Sequence, residues 1–354
     1  MVAILLDPQY AESTWCRNIY SSLTDRLREK RIPFCQIYDT CTAGTTAVFV
    51  IASNFHWTCN IIQQLNTNRI YPILLCNQLE NLPGCIYNCV CSDVNASMKN
   101  LLDILENQGK RRIALFGMNP NSIADISRID SLMLWKKENF VPFGIYPNEG
   151  SLAACFESFR EDRQNFDAVI CANDFAAVTL IQGLRRTDPA YVKKLTVISC
   201  ASSKISEYYK DTILSLDINY AYYGKAAVYI YEALQKQAYL SEMTIKLAWC
   251  LQNDFTTCTH GDIHLSFPIS DDSFYDDALL NEMLIVERIL SSLSDEADQI
   301  ILDSLLQEEN YSSIAQKCFL SENAVKYRIK RLINHSGAPD RPGMIALLKK
   351  YISG

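Results

Sequence analysis

One pattern constrains this chain more than any other: over roughly its first 260 residues, short uninterrupted apolar runs alternate with amphipathic stretches of helical length. VAILL leads into a helical stretch over 15–30; FCQIY follows, then AVFVIAS, a helical stretch over 58–66, and PILLC. Further helical stretches over 96–108, 126–138, 152–163 and 176–185 precede RRIALFG, PFGIY, DAVICAND and LTVISC in turn. Strands that lack polar alternation are covered on both faces, the condition of parallel sheets sandwiched between helices. A repeat of this length exceeds one compact sheet, so the predicted class is α/β, with two lobes of parallel sheet within residues 1–260.

The rhythm then stops. GDIHLSFPISDDSFYDD is acidic and without periodicity, and reads as a linker over 261–277. Over 278–293, Leu279, Leu280, Met283, Leu284, Val286, Ile289, Leu290 and Leu293 recur every three or four residues. That face suits a connecting helix that either pairs with a second copy or packs on its own body. Charge divides at the same end of the chain. The whole carries 33 Lys and Arg against 40 Asp and Glu, but residues 311–354 hold eight basic and two acidic residues, leaving 25 against 38 elsewhere. A basic tail on an acidic body points to a polyanionic partner for the tail alone.

Several classes are disfavoured. No basic residues precede the first apolar run and Asp7 interrupts it, unlike an export signal, and no apolar window reaches about 18 residues. With 49% hydrophobic and 21% charged residues, the composition is that of a folded soluble protein with no membrane partner. Fourteen scattered cysteines without an export signal indicate reduced thiols and a cytoplasmic setting. The nearest cluster, Cys85, Cys89 and Cys91, lacks a second pair or a nearby histidine and reads as small core residues at strand positions, so neither metal nor cofactor is expected. No phosphate-cradling glycine loop, GxSxG or HExxH occurs, and the chain does not read as an enzyme.

Residues 294–354 read as four short helices. Ile300, Ile301, Leu305 and Leu306 give the first an apolar face, and Ile314 with Ala315 anchors the second. Phe319, Leu320 and Ser321 make a turn, with Ser321 as N-cap and Glu322 favouring the helix start. The next helix directs Val325, Ile329 and Leu332 inward, leaving Lys326, Tyr327, Lys330 and Arg331 to face a major groove. The run LSENAVKYRIKRLINHSGAPDR resembles the LuxR-type helix-turn-helix of bacterial regulators. The resemblance implies base or phosphate contacts from Lys326, Tyr327 and Lys330, and phosphate or structural roles for Asn323, Arg331 and Arg341. EENYSS departs from the family where a small residue and Asn are usual; Gly337 keeps the expected turn.

A second resemblance covers residues 1–260. CSDVNASMKNLLDILENQGKRRIALFG, SIADISRIDSL, DAVICANDFAA and INYAYYGKAAVYIYEAL occur in the order found in LacI/GalR-type periplasmic-binding-like (type I) sensors. The chain is then expected to cross between lobes near 92, 218 and 248. The resemblance places Asp93, Arg128, Asn173 and Tyr220, with Tyr10 and Trp15 of the first loop, at an inter-lobe ligand cleft. Ala201 stands where such sensors often carry an Asp. Together the resemblances imply a homodimeric regulator that binds double-stranded DNA under control of a small polar effector, most simply a sugar. A second reading makes the body a ligand-free dimerisation or protein-interaction scaffold.

Overall fold

The computed structural model describes residues 1–352 apart from Glu12, 39–44, Thr46, 77–81, Asn121, 140–142, Ser202, Asp217, 237–241 and 250–276. The predicted linker over 261–277 therefore lies, Asp277 excepted, outside the described residues. Along the chain run β1 (Val2–Leu6), α1 (Thr14–Glu29), β2 (Phe34–Ile37), β3 (Ala47–Ile51), α2 (Phe55–Thr67), β4 (Tyr71–Leu75), β5 (Asn88–Ser92) and α3 (Val94–Asn107). There follow β6 (Ile113–Met118), α4 (Ile123–Asn139), β7 (Phe143–Pro147), α5 (Leu152–Asp162), β8 (Ala168–Cys171), α6 (Asp174–Thr187), α7 (Pro189–Val192), β9 (Thr196–Ser199) and β10 (Ile213–Ser215). The chain ends with α8 (Tyr220–Lys236), β11 (Thr244–Leu247), α9 (Ala278–Ser291), α10 (Glu296–Leu306), α11 (Tyr311–Cys318), α12 (Glu322–Ser336) and α13 (Arg341–Ile352). Among the described residues no helix is long and apolar enough to cross a membrane.

These elements form two compact units. The first is drawn from Met1–Arg111, Pro120–Val141 and Leu216–Asp271, the second from Arg112–Asn119, Pro142–Ser215 and Asp272–Gly354. Each has its own parallel sheet: β11-β5-β4-β3-β1-β2 in the first and β10-β9-β8-β6-β7 in the second.

In the first unit β3 shows why the strands are apolar throughout. Val48 and Val50 join the core beneath Ile61, Ile62 and Leu65 of α2, while Phe49, on the opposite face, lies 6.2 Å from the Tyr231 ring of α8. Helices α1 and α8 meet closely at Gly224, whose N–H donates to Ser22 Oγ at 3.0 Å while that hydroxyl donates to the Ala221 carbonyl at 3.0 Å. A Cβ at residue 224 would lie 2.1 Å from the Ser22 carbonyl oxygen. Helix α4 packs on α3, with the Trp135 indole donating to Asp103 at 3.1 Å.

In the second unit the C-terminal helices share the core of the sheet. Leu280, Met283, Val286, Ile289 and Leu290 of α9, with Met344, Leu348 and Tyr351 of α13, belong to one apolar cluster with Phe156, Ile181 and Ile205. The apolar face predicted over 278–293 is thus occupied within its own unit. Asp277 fixes the start of α9, one carboxylate oxygen accepting from Leu279 N and the other from Leu152 N at the head of α5. At the far end, Tyr209 OH and Gln182 Nε2 donate to the Tyr351 and Lys350 carbonyls at 2.6 and 2.8 Å.

Gly224→Ala is expected to force α1 and α8 apart at a cost of about 2–3 kcal/mol; a urea titration that leaves the midpoint unchanged would contradict this packing.

Candidate functional site

Helix α11 ends where Phe319 adopts the left-handed conformation (φ 54°), allowing Leu320 N–H to reach the Ala315 carbonyl at 2.9 Å. Ser321 then caps α12, accepting from Ala324 N at 3.2 Å, as the sequence predicts. Val325, Ile329 and Leu332 are buried. Asn323, Lys326, Tyr327 and Lys330 are exposed, Tyr327 at 70%.

The arginines of this region are committed inward. Arg328 donates to Asp295 at 2.8 and 2.9 Å and to Asp298 at 2.7 Å; Arg331 pairs with the other oxygen of Asp298. Arg331 was expected on the outward face, but Asp298 turns it back toward α10. Burial alone would raise the Asp298 pKa, but Ser294 and the two arginines overcome that and hold it at about 2. Arg341 stacks over the Tyr311 ring at 4.5 Å and donates to the Glu309 carbonyl, while Lys326 lies 5.2 Å from the same ring. Arg328, Arg331 and Arg341 thus brace the helices, leaving one basic face on α12.

In each sheet the carboxyl ends of adjacent strands form a topological switch point, where polar groups gather in doubly wound folds. In the first unit this lies between β1 and β3. Buried Asp7 accepts from the backbone N–H groups of Gln9, Ser53 and Asn54, and burial, the larger influence, raises its pKa despite those donors. Tyr10 and Trp15 follow, with ring centroids 5.9 Å apart. Asp93 caps α3, accepting from Ala96 N at 3.3 Å, and its own N–H donates to the Leu247 carbonyl of β11. Arg128 is buried, ion-paired with Asp125 and stacked 5.2 Å from the Trp249 ring. Tyr220 is buried at the head of α8, 5.8 Å from the Tyr223 ring.

In the second unit the switch point lies between β6 and β8. Asn119 follows β6 and Asn173 follows β8, where it caps α6 by accepting from Ala176 N at 3.0 Å. Asn148, beyond β7, has a buried side-chain NH2 with no acceptor among the described residues. The Trp249 indole N–H of the first unit is likewise buried, with no acceptor among the described residues. A buried donor without a partner carries a desolvation cost that a ligand oxygen would relieve. The sequence reading missed both residues. The Asp125–Arg128 spacing of three on a helix was a usable signal for that pair, whereas nothing around Trp249 in the sequence marks it.

Beside this end of the sheet lies a second group of carboxylates. Asp174 Oδ2 accepts from Ser203 N and Oγ, both at 2.6 Å, and Oδ1 from Ser199 and Ser215. Glu287 of α9, only 2% exposed, accepts from Lys204 N and Ile205 N, each at 2.9 Å. Burial pushes Glu287 up to about 7 despite those donors, and the charge of Asp174 adds to the rise. Among the described residues no three His, Cys, Asp or Glu side chains are grouped as metal ligands.

No family model and no curated protein matches the chain by sequence. Solved structures match its fold. A LacI-family transcriptional regulator from Enterococcus faecium with bound ribose aligns at a TM-score of 0.58 and 16% identity, over 73% of this chain and 98% of that one. The LacI-family regulator CCPA from Weissella paramesenteroides with bound glucose gives 0.57 and 17%, over 71% and 96%. The regulator CcpA of Lactococcus lactis gives 0.55 and 14%, over 71% and 97%. The body of this chain has the two-lobed, parallel-sheet fold of type I periplasmic-binding-like domains.

The two perturbed acids predict opposite pH limbs. Asp298, lowered from 3.8 to about 2, contributes stability that is present above pH 4 and lost as the pH falls toward 2. Glu287, raised from 4.5 to about 7, contributes stability that is full below pH 4.5 and lost as the pH rises through 7, roughly 2–3 kcal/mol between pH 5 and 8. Urea midpoints across pH should therefore lose their neutral-range slope in Glu287→Gln and their acid limb in Asp298→Asn; slopes identical to wild type would contradict both assignments.

Proposed function

We propose that this chain is a DNA-binding transcription regulator controlled by a small polar, sugar-like effector, and that it acts as a homodimer on a two-fold operator. On this reading α11 and α12 form a LuxR-type helix-turn-helix, and α12 lies in the major groove of duplex DNA. The observation that carries it is the division of basic residues around α12. Arg328 and Arg331 hold the helix to Asp295 and Asp298, while Asn323, Lys326, Tyr327 and Lys330 are left on one exposed face. Lysine ammoniums there neutralise phosphates, and Asn and Tyr can read base edges.

Effector control is supported by the fold and by the polar groups at the strand ends. The neighbours from Enterococcus faecium and Weissella paramesenteroides hold ribose and glucose on the same architecture. Within the first unit a buried cation at Arg128 stacks beside Trp249; within the second, amides at Asn119, Asn148 and Asn173 follow the strand ends; each set by itself is of the kind that suits hydroxyl-rich ligands. A second reading, a ligand-free scaffold, is favoured by Ala201, which leaves β9 without a carboxylate at its end.

Lys326→Ala and Lys330→Ala should weaken binding to duplexes selected from a random pool. Each lysine that contacts phosphate should lower the salt slope by about one unit, with the circular dichroism spectrum unchanged. Unchanged affinity in both variants would remove α12 as the reader. Thermal shift against sugars, nucleosides and amino acids separates the two readings of the body: an effector at 100 times its Kd adds about 2.7 kcal/mol, and Arg128→Lys should abolish that gain, whereas a scaffold responds to nothing.

A further inference from the structure

Two thiol pairs in the first unit have the same spacing and opposite access. Cys59 on α2 and Cys85, in the segment leading to β5, bring their sulfurs to 3.7 Å, and both residues are half-buried. Cys76 and Cys89, at the end of β4 and within β5, also sit at 3.7 Å, but both are buried in the apolar core under α2.

The outer pair is held in place from both sides. Asn66, two turns along α2 from Cys59, clasps the Cys85 segment through its side chain: Nδ2 donates to the Ile86 carbonyl at 2.8 Å and Oδ1 accepts from Ile86 N at 2.9 Å. Gln63 Nε2 approaches the Cys59 sulfur at 3.6 Å, and the Cys85 thiol points at the Cys59 carbonyl at 3.7 Å. The sulfurs are already in van der Waals contact. Closing them to a bond of about 2.05 Å is a matter of side-chain rotation and a small shift of the segment.

We propose that Cys59 and Cys85 form a redox-modification site, a paired dithiol that a low-molecular-weight disulfide converts into an intramolecular disulfide joining α2 to the approach of β5. The Cys59 thiolate attacks the small disulfide, whose S–S bond breaks and releases one thiol, leaving a mixed disulfide on Cys59. Cys85 then attacks the Cys59 sulfur and expels the second thiol. The protein loses two electrons and two protons; the small disulfide gains both and leaves as two thiols.

The order of attack follows from the surroundings. Burial, and then the neighbouring Cys59 thiol, push Cys85 up to about 11, so it keeps its proton at neutral pH and serves as the resolving thiol. Closure from the mixed disulfide should therefore accelerate with rising pH, as more of Cys85 becomes thiolate. The inner pair stays reduced because the core admits no oxidant.

The test uses the full chain in buffers of reduced and oxidised glutathione, quenched with a thiol alkylator and mapped by mass spectrometry without reduction. A Cys59–Cys85 cross-linked peptide should be the first product, with Cys76, Cys89 and Cys91 alkylated only after denaturation. In Cys85→Ser a glutathione adduct should accumulate on Cys59; in Cys59→Ser, Cys85 should form its adduct more slowly than that, because burial still holds its thiol protonated. Circular dichroism of both serine variants checks that each is folded. Adducts on wild type that never resolve, a first cross-link through any other cysteine, or oxidation of Cys76–Cys89 at the same rate would each overturn the assignment.

Discussion

One turn, Ser203 to Ile205, is gripped from two sides by buried carboxylates, and the second unit is organised around it. Asp174 holds Ser203 from the side of β8 and α6; Glu287 holds Lys204 and Ile205 from α9. Each acid loses its water, a cost of several kcal/mol unless hydrogen bonds replace it. Here backbone N–H and serine O–H groups do so, and among the described residues no arginine or lysine pairs with either carboxylate. Without that turn α9 would bury an acid against nothing. With it, α9 becomes part of the sheet's own core, and the helices that follow inherit a fixed platform.

Most of the architecture was legible because burial on both faces leaves a continuous apolar signature. β3, β6 and β8 are written as AVFVI, IALFGM and AVIC, and every residue in them is buried. The strands that escaped notice are those where that condition fails. β11, reading TIKL, lies at the edge of its sheet and leaves Thr244 and Lys246 exposed; β10 has only three residues, with Leu214 exposed. An edge strand needs one neighbour and one covered face, and three or four residues of that kind look like a loop.

The candidate sites divide in the same way. Ser321, Val325, Ile329 and Leu332 were readable because capping and helical period are local rules. Which arginine faces outward was not, since that depends on acids some thirty residues away: Arg331 has the right period to reach solvent, yet Asp298 draws it inward. Arg341, expected on phosphate or in a structural role, is stacked on Tyr311. At the strand ends, Asp93 and Asn173 both cap helices, a role that any Asp or Asn in that position can fill. The Trp249 indole N–H and the Glu287 carboxyl owe their burial to packing between segments far apart in sequence, and no local pattern announces such a placement.

The interleaving of the units bears on how the chain is made. Five strands of the first sheet are complete by residue 92, but the outer partner of β5 and the helix that covers α1 come only after residue 215. At a synthesis rate of about 5–20 residues per second, the intervening stretch takes roughly 6–25 seconds. Throughout that interval β5 is an open edge and α1 lacks its partner, conditions under which nascent chains adhere to one another. The yield of folded protein therefore depends on how quickly the ribosome delivers α8 and β11, and on what shields the half-built sheet until then, as well as on the stability of the finished molecule.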